Sequence, residues 1–157
     1  MPPGRWTALF FLDEATALAA GHRPCAYCRR PAFIAFAEAW RRAHGLTERP
    51  RAGEIDVRLH TERVDPRSRR QLTRPALVGR LPEGAMVRYG GVLGVLVGER
   101  ILPWSFTGYG VPIAVTSSTS VESLTPPATV ATIAAGYRPS VHQSASARVL
   151  PGPPGSG

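Results

Sequence analysis

The two cysteines of this chain, Cys25 and Cys28, are separated by two residues. Thiolates at this spacing can both reach one metal ion, and zinc usually takes four ligands arranged as a tetrahedron. A thiol pair at this spacing can also perform redox chemistry, because a helix that starts there lowers the pKa of the first thiol. The motif therefore predicts a metal site or a reactive thiol site, with two structural thiols as the remaining interpretation.

Further zinc ligands would have to come mainly from the four histidines, which are His22, His44, His60 and His142. His22 precedes a rigid proline, and His44 lies about 20 Å along a predicted helix from the cysteines. His60 and His142 are the freer candidates, and we take His60 as the third predicted metal ligand. His60 and Glu62 also have the H-x-E order of zinc deaminases, so an open zinc with Glu62 as acid/base is a further hypothesis.

A helix is predicted on each side of the cysteines. The first spans residues 13–20, because Asp13 suits the N-cap and Gly21 suits the position after the last turn. The second spans residues 31–44, where apolar residues recur at helical spacing and predict a buried face. Residues 54–64 fit either a strand or a helix, and we favour the helix.

The run from Glu14 to Arg29, EATALAAGHRPCAYCR, resembles the second half of the zinc domain of Ada-type DNA repair proteins, which act on methylphosphotriesters. In that family a helix ending in Ala-Gly leads to an aromatic residue, Arg-Pro and C-x-x-C. The resemblance covers residues 13–31 and implies that Cys25 and Cys28 bind zinc.

The resemblance does not extend to methyl transfer. An earlier cysteine pair completes the family's site, and one member of that pair accepts the methyl group from DNA. Residues 1–24 of this chain contain no cysteine. Three explanations stay open: other ligands complete the site, the metal has been lost, or the missing ligands lie upstream of Met1.

The formal net charge is +8, and all 19 basic residues are arginines. A positive excess permits binding to nucleic acid. The segment from Arg63 to Arg80 is rich in guanidinium groups, which pair with phosphate in a forked geometry. We predict contact with DNA or RNA there, with a solvated loop as the alternative. The predicted contact residues are Arg63, Arg67, Arg69, Arg70 and Arg74.

The second half of the chain predicts short strands at 86–89, 92–97, 101–106, 113–116 and 121–124, separated by glycine and serine turns. The fold class is therefore α+β, with N-terminal helices around a C-x-x-C knuckle and a small antiparallel sheet over about 86–124. We expect one domain over residues 1–142, with a helical part at 1–45 and a β-rich part at 81–142. We also predict a late helix, with Thr125 as its N-cap and Pro126 at its first position. A disordered tail is predicted at 143–157.

No apolar run reaches the roughly 18 residues of a membrane helix, and the N-terminus has no signal pattern. We therefore expect a cytoplasmic protein with no membrane partner, in a compartment where disulfides are rare. The leading prediction is a small zinc-binding, nucleic-acid-associated protein without demonstrable catalysis. The alternatives are a zinc- or thiol-dependent enzyme using Cys25 and Cys28, and a structural or interaction domain without metal.

Overall fold

The computed structural model describes residues 10–149. Its helices are α1 (Glu14–Ala19), α2 (Arg30–Ala43), α3 (Ala52–Arg63), α4 (Pro127–Ala134) and α5 (Gln143–Val149). Its strands are β1 (Arg74–Leu77), β2 (Met86–Tyr89), β3 (Val92–Val97), β4 (Arg100–Ser105), β5 (Gly108–Tyr109), β6 (Ile113–Ala114) and β7 (Ser120–Ser123). The α+β prediction is confirmed. Within the described range, no helix has both the length and the apolar character needed to cross a membrane.

Local signals define both ends of α1, as predicted. Asp13 accepts a hydrogen bond from the backbone N–H of Thr16 at 2.9 Å, which satisfies one free donor of the first turn. At the other end, Gly21 adopts a φ of 79° and donates to the Leu18 carbonyl at 2.9 Å. The next N–H donates to the Ala17 carbonyl at 3.0 Å, so the helix ends in a Schellman motif.

The aromatic face of α2 forms the centre of a helical core. Phe36 and Trp40 are buried, and the Phe36 ring packs edge-on against Tyr137 with centroids 5.0 Å apart. α3 adds Ile55 and Leu59, which are buried four residues apart, whereas Val57 between them is exposed. This pattern agrees with the helix favoured for residues 54–64 and excludes the strand alternative.

The sheet is antiparallel, with strand order β1-β7-β2-β3-β4-β5 and with β6 paired to β4. It starts earlier than predicted, because Arg74–Leu77 pairs with Ser120–Ser123. This stretch was predicted as part of an arginine-rich loop, because its pairing partner lies more than 40 residues away in the chain and leaves no local signal. β2 and β3 begin and end where they were predicted.

Both faces of the sheet are covered. Met86, Val95 and Leu102 pack in one apolar cluster with Ala15 and Ala19 of α1. The neighbouring residues along the same strands point to the opposite face, as the period of a β-strand requires. They pack in a second cluster that comprises Val78, Val87, Leu96, Ile101, Val115 and Val121. α1 therefore lies between the sheet and the helical core.

α4 begins one residue later than predicted. The Thr125 hydroxyl accepts a hydrogen bond from the Met86 N–H at 2.9 Å, so it joins the sheet and does not cap the helix. Pro126 occupies the N-cap. The carboxylate of Glu62 on α3 accepts a hydrogen bond from the Ala128 N–H at 2.8 Å and supplies the missing cap from outside the helix.

The region predicted as a disordered tail starts with a helix. Residues 143–149 form α5, in which Ala145 is buried against the sheet. The Ser144 hydroxyl accepts a hydrogen bond from the Tyr109 N–H at 2.9 Å, which attaches α5 to β5. Tertiary contacts thus order a segment whose composition alone predicts disorder. Residues 150–157 of the predicted tail lie outside the described residues.

Two consecutive carboxylates connect α1 to the end of the domain. Glu14 is 7% exposed and accepts hydrogen bonds from the Tyr137 hydroxyl at 2.6 Å and the Ser140 N–H at 2.8 Å. Asp13 accepts a hydrogen bond from the Tyr109 hydroxyl at 2.7 Å and another from the His142 N–H at 3.0 Å. Both tyrosines therefore have their pKa raised, first by burial and then by the adjacent carboxylate.

Replacing the Glu14 carboxylate should destabilise the whole domain. Glu14→Gln removes an acceptor from the Ser140 N–H or the Tyr137 hydroxyl, and an unsatisfied buried donor costs about 2 kcal/mol. We expect urea denaturation to show that the free energy of unfolding falls by about 2 kcal/mol. Glu48→Gln, at an exposed loop position, should change stability by less than about 0.5 kcal/mol. Equal effects of the two substitutions would contradict this role for Glu14.

Candidate functional site

Cys25 and Cys28 lie on a tight turn between α1 and α2. The Arg29 N–H donates to the Cys25 carbonyl at 3.1 Å and closes the turn just before α2 begins. The Cys28 N–H donates to the Sγ of Cys25 at 3.4 Å. Both cysteines are free thiols exposed to solvent. The turn therefore places the two thiols side by side and accessible.

The two thiols differ in acidity because of this geometry. The pKa of Cys25 is lowered to about 7, first by the hydrogen bond from the Cys28 N–H, then by the Cys28 side chain and the Tyr27 N–H. The pKa of Cys28 is raised, first by its hydrogen bond to Cys25 and then by slight desolvation and the charge of Cys25. The pair thus has one acidic member and one that stays protonated at neutral pH.

Arg23 holds the cysteine turn against the two neighbouring helices. Its guanidinium forms an ion pair with Asp56 of α3 at 2.8 Å and lies over the Phe33 ring of α2, 5.3 Å from its centroid. It also donates to the Pro24 carbonyl at 3.0 Å. Since Pro24 is itself buried, the residues leading into Cys25 are fixed on both sides.

Two further arginines fix the other flanks of the turn. Arg29 forms an ion pair with the buried Glu14 carboxylate at 3.2 Å. Arg63 donates to the Ala20 carbonyl at 2.7 Å, and its side chain crosses Gly21 where a Cβ atom would collide with it. Glycine is therefore required at position 21 for two reasons. Its φ is positive, and the Arg63 side chain occupies the space that a Cβ atom would need.

The cysteines open onto a cleft with a volume of about 1620 Å³. The cleft lies between the α1–α2 connection and α3, and His60 lines it together with both cysteines. His22 also lines it and packs against the Phe11 ring, with centroids 5.2 Å apart. Burial, followed by the charge of Arg63, lowers the pKa of His22, so its ring is neutral at pH 7.

The described residues do not fit a complete zinc site. Among residues 10–149, no group of three or more His, Cys, Asp or Glu side chains is placed to hold a metal ion. His44 bonds to the Ala128 carbonyl at 3.3 Å, and His142 bonds to Ser144 at 2.8 Å. The predicted set of Cys25, Cys28 and His60 shares the cleft without forming such a group.

The open-zinc hypothesis also loses its acid/base. Glu62 bonds to the Ala128 N–H and forms an ion pair with Arg58 at 3.1 Å. Both carboxylate oxygens therefore have partners outside the cleft. Glu62 caps α4 from the end of α3, and its H-x-E spacing with His60 has a structural explanation.

The five predicted nucleic-acid contacts fall into two groups. Arg63 bonds to Ala20, and Arg74 donates to the Glu62 carbonyl at 3.1 Å, so both hold the backbone together. The other three are exposed on the turn that follows Asp65, and they are Arg67, Arg69 and Arg70.

Sequence reasoning missed the residues that build the cleft, namely Glu14, Arg23 and Asp56. Arg23 and Asp56 pair across 33 positions, so no local spacing predicts their contact. Glu14 lies in the first turn of α1, where an acidic residue is favourable, and that position does not predict its burial. A buried acidic side chain that accepts a hydrogen bond from Tyr137 can be recognised only once the fold is known.

Comparison with known proteins finds no matching family model, curated protein or solved structure. The resemblance of residues 13–31 to the Ada zinc domain therefore stays a prediction from those residues. The function has to be argued from the geometry of the site.

The acidity of Cys25 should appear in its alkylation kinetics. Only the thiolate reacts, so the rate of Cys25 with iodoacetamide should rise with pH, with a midpoint near 7, and level off above it. Cys28→Ala removes one hydrogen-bond donor to the Cys25 sulfur and should move that midpoint upward. A midpoint above pH 8 in the wild type would contradict the assigned geometry.

Proposed function

We propose that Cys25 and Cys28 are a reactive dithiol that reduces disulfides by thiol–disulfide exchange. The observation that supports this is the hydrogen bonding of the Cys28 N–H to the Cys25 sulfur on an exposed turn. The lowered pKa of Cys25 agrees with that geometry. In this function Cys25 is the attacking thiol and Cys28 is the resolving thiol.

The acidity of Cys25 suits attack at neutral pH. With a pKa of about 7, roughly half of the Cys25 side chains are thiolate at pH 7, compared with a few per cent for an ordinary cysteine. A lower pKa would increase the thiolate fraction further but reduce its nucleophilicity, so the optimum lies near ambient pH. The reaction requires a reduced starting state, which agrees with the predicted cytoplasmic location.

The exchange occurs in two steps. The Cys25 thiolate attacks one sulfur of the substrate disulfide, the S–S bond breaks, and the departing sulfur takes a proton from water. Cys28 then loses its proton to water and attacks the Cys25 sulfur, the mixed disulfide bond breaks, and the second substrate sulfur leaves as a thiolate that takes a proton from water. The substrate gains two electrons and two protons, and the protein ends with a Cys25–Cys28 disulfide. A low-molecular-weight thiol in excess restores the dithiol.

Zinc held by the two thiolates is the second proposal. The exposed turn offers both sulfurs to one ion, as in zinc knuckles of this spacing. Since residues 10–149 supply no complete ligand group, the remaining ligands would come from other residues or from a partner. A bound metal would occupy the thiolates and block the exchange reaction, so the two proposals give opposite results.

Exchange should depend on the two cysteines in different ways. Cys25→Ser removes the attacking thiolate and should lower the rate with 2-hydroxyethyl disulfide by about 50-fold or more. Cys28→Ser removes the resolving thiol, so the mixed disulfide on Cys25 should accumulate. Intact-protein mass spectrometry measures that adduct.

The same preparations should be analysed for metal content. A metal-free wild type that reacts, and an adduct in Cys28→Ser alone, would support the dithiol. About one zinc per chain that is lost in the Cys25→Ser, Cys28→Ser double variant, together with unreactive thiols, would overturn the dithiol and establish the metal site.

The turn at 65–70 favours a separate nucleic-acid contact. The Asp65 carboxylate accepts hydrogen bonds from the backbone N–H groups of Arg67 at 3.0 Å and Ser68 at 2.6 Å, which fixes the turn. Arg69 has a positive φ of 60° on the same turn. The turn thus presents three exposed guanidinium groups at one place, a suitable arrangement for phosphate oxygens.

Binding to single- or double-stranded DNA should depend on this turn and on salt. Replacing Arg67, Arg69 and Arg70 with Ala should weaken binding, measured by fluorescence anisotropy. The plot of log association constant against log salt concentration should become less steep by about 2–3. The matched control replaces three exposed arginines outside the Arg63–Arg80 segment, Arg49, Arg100 and Arg138, and removes the same charge. Equal losses in the two variants would attribute binding to net charge alone. Absence of binding at low salt would reject the contact.

A further inference from the structure

We infer that the substrate of the dithiol is a disulfide within a polypeptide, flanked by apolar residues. This inference rests on the proposed exchange function and adds the class of substrate. It comes from the charge, the exposed side chains and the size of the cleft around Cys25.

The lining of the cleft is electrically balanced although the chain is strongly basic. Its described residues include three arginines and three acids, whereas the whole chain carries a net charge of +8. The Arg23 and Arg29 guanidinium groups are neutralised by Asp56 and Glu14. Arg63 is directed to the Ala20 carbonyl. The cleft therefore provides little attraction for a small disulfide that carries carboxylates.

Apolar side chains stand exposed at the rim instead. Tyr27, between the two cysteines, is 95% exposed, and Val57 on the facing wall of α3 is 69% exposed. Phe11 lines the same cleft and is also exposed, with Phe10 next to it in the chain. Exposed apolar groups grouped around a reactive thiol suit a partner that brings apolar side chains of its own.

The size of the cleft agrees with a polypeptide substrate. Pockets for small molecules usually have volumes of about 300–1,000 Å³ and enclose most of the ligand. This cleft measures about 1620 Å³. It can therefore accept a chain segment on both sides of the disulfide, and Tyr27 and Val57 are the side chains placed to contact it.

Three probes test the substrate class. They are a short synthetic peptide whose disulfide is flanked by Leu and Phe, the same peptide with Asp at the flanking positions, and neutral 2-hydroxyethyl disulfide. We expect the apolar peptide to react about tenfold faster than the Asp peptide. The double variant Tyr27→Ser, Val57→Ser should lower the ratio of the apolar-peptide rate to the 2-hydroxyethyl disulfide rate by a similar factor.

A matched double variant controls for the loss of exposed apolar surface. Phe106 is 87% exposed and Val111 is 70% exposed, and neither lines the cleft. Phe106→Ser, Val111→Ser should leave the ratio of the two rates as in the wild type. The alkylation midpoint of Cys25, measured in both variants, separates a change in docking from a change in thiol acidity.

The outcomes separate this inference from the exchange function itself. If no probe reacts, the exchange function fails and the inference fails with it. If all probes react at similar rates, or the Asp peptide reacts fastest, exchange stands and the polypeptide preference is overturned. A peptide rate per chain that falls as protein concentration rises would indicate a second copy over the cleft, which would also overturn the inference.

Discussion

The buried carboxylate of Glu14 joins parts of the chain that are far apart in sequence. One carboxylate oxygen accepts a hydrogen bond from the Tyr137 hydroxyl and forms an ion pair with Arg29. The other accepts a hydrogen bond from the Ser140 N–H. Burying a charged group is unfavourable unless its hydrogen bonds and charge are compensated, and these three partners supply that compensation. Glu14 therefore links α1 to the cysteine turn through Arg29 and to the C-terminal segment through Tyr137 and Ser140.

The charge of the cleft depends on the internal bonds that its arginines form. In a chain with a large positive excess, the guanidinium groups beside the cysteines could have formed an anion-binding pocket. They serve as anchors instead: Arg23 holds the turn to α3, and Arg63 holds the end of α1. Arg23 donates to the Asp56 carboxylate and the Pro24 carbonyl, and Arg63 donates to the Ala20 carbonyl. The lowered pKa of Cys25 accordingly originates within its own turn, first in the Cys28 N–H, then in the Cys28 side chain and the Tyr27 N–H.

Local patterns predicted much of the fold, because the signals lie within a few residues of the structure they specify. Asp13 and Gly21 delimit α1, and the glycine turns at 90–91 and at 98 delimit β3 and separate it from β2. The failures involve distant partners. β1 is stabilised by β7, and α5 is attached to β5 through Ser144. The cysteine pair could be located from its spacing, but its surroundings could not, since Asp56 and Glu14 reach the site only through the tertiary fold.

The hydrogen bond between Glu14 and Ser140 spans 126 positions of the chain. During synthesis, residue 14 leaves the ribosome long before residue 140 exists, so the Glu14 site has no complete set of partners in the nascent chain. Closing so long a loop also carries an entropic cost that slows folding. The cysteines thus emerge early, whereas the bonds of Glu14 to Tyr137 and Ser140 require the later part of the chain to be synthesised. A nascent chain on the ribosome would therefore expose the thiols before the cleft around them has formed.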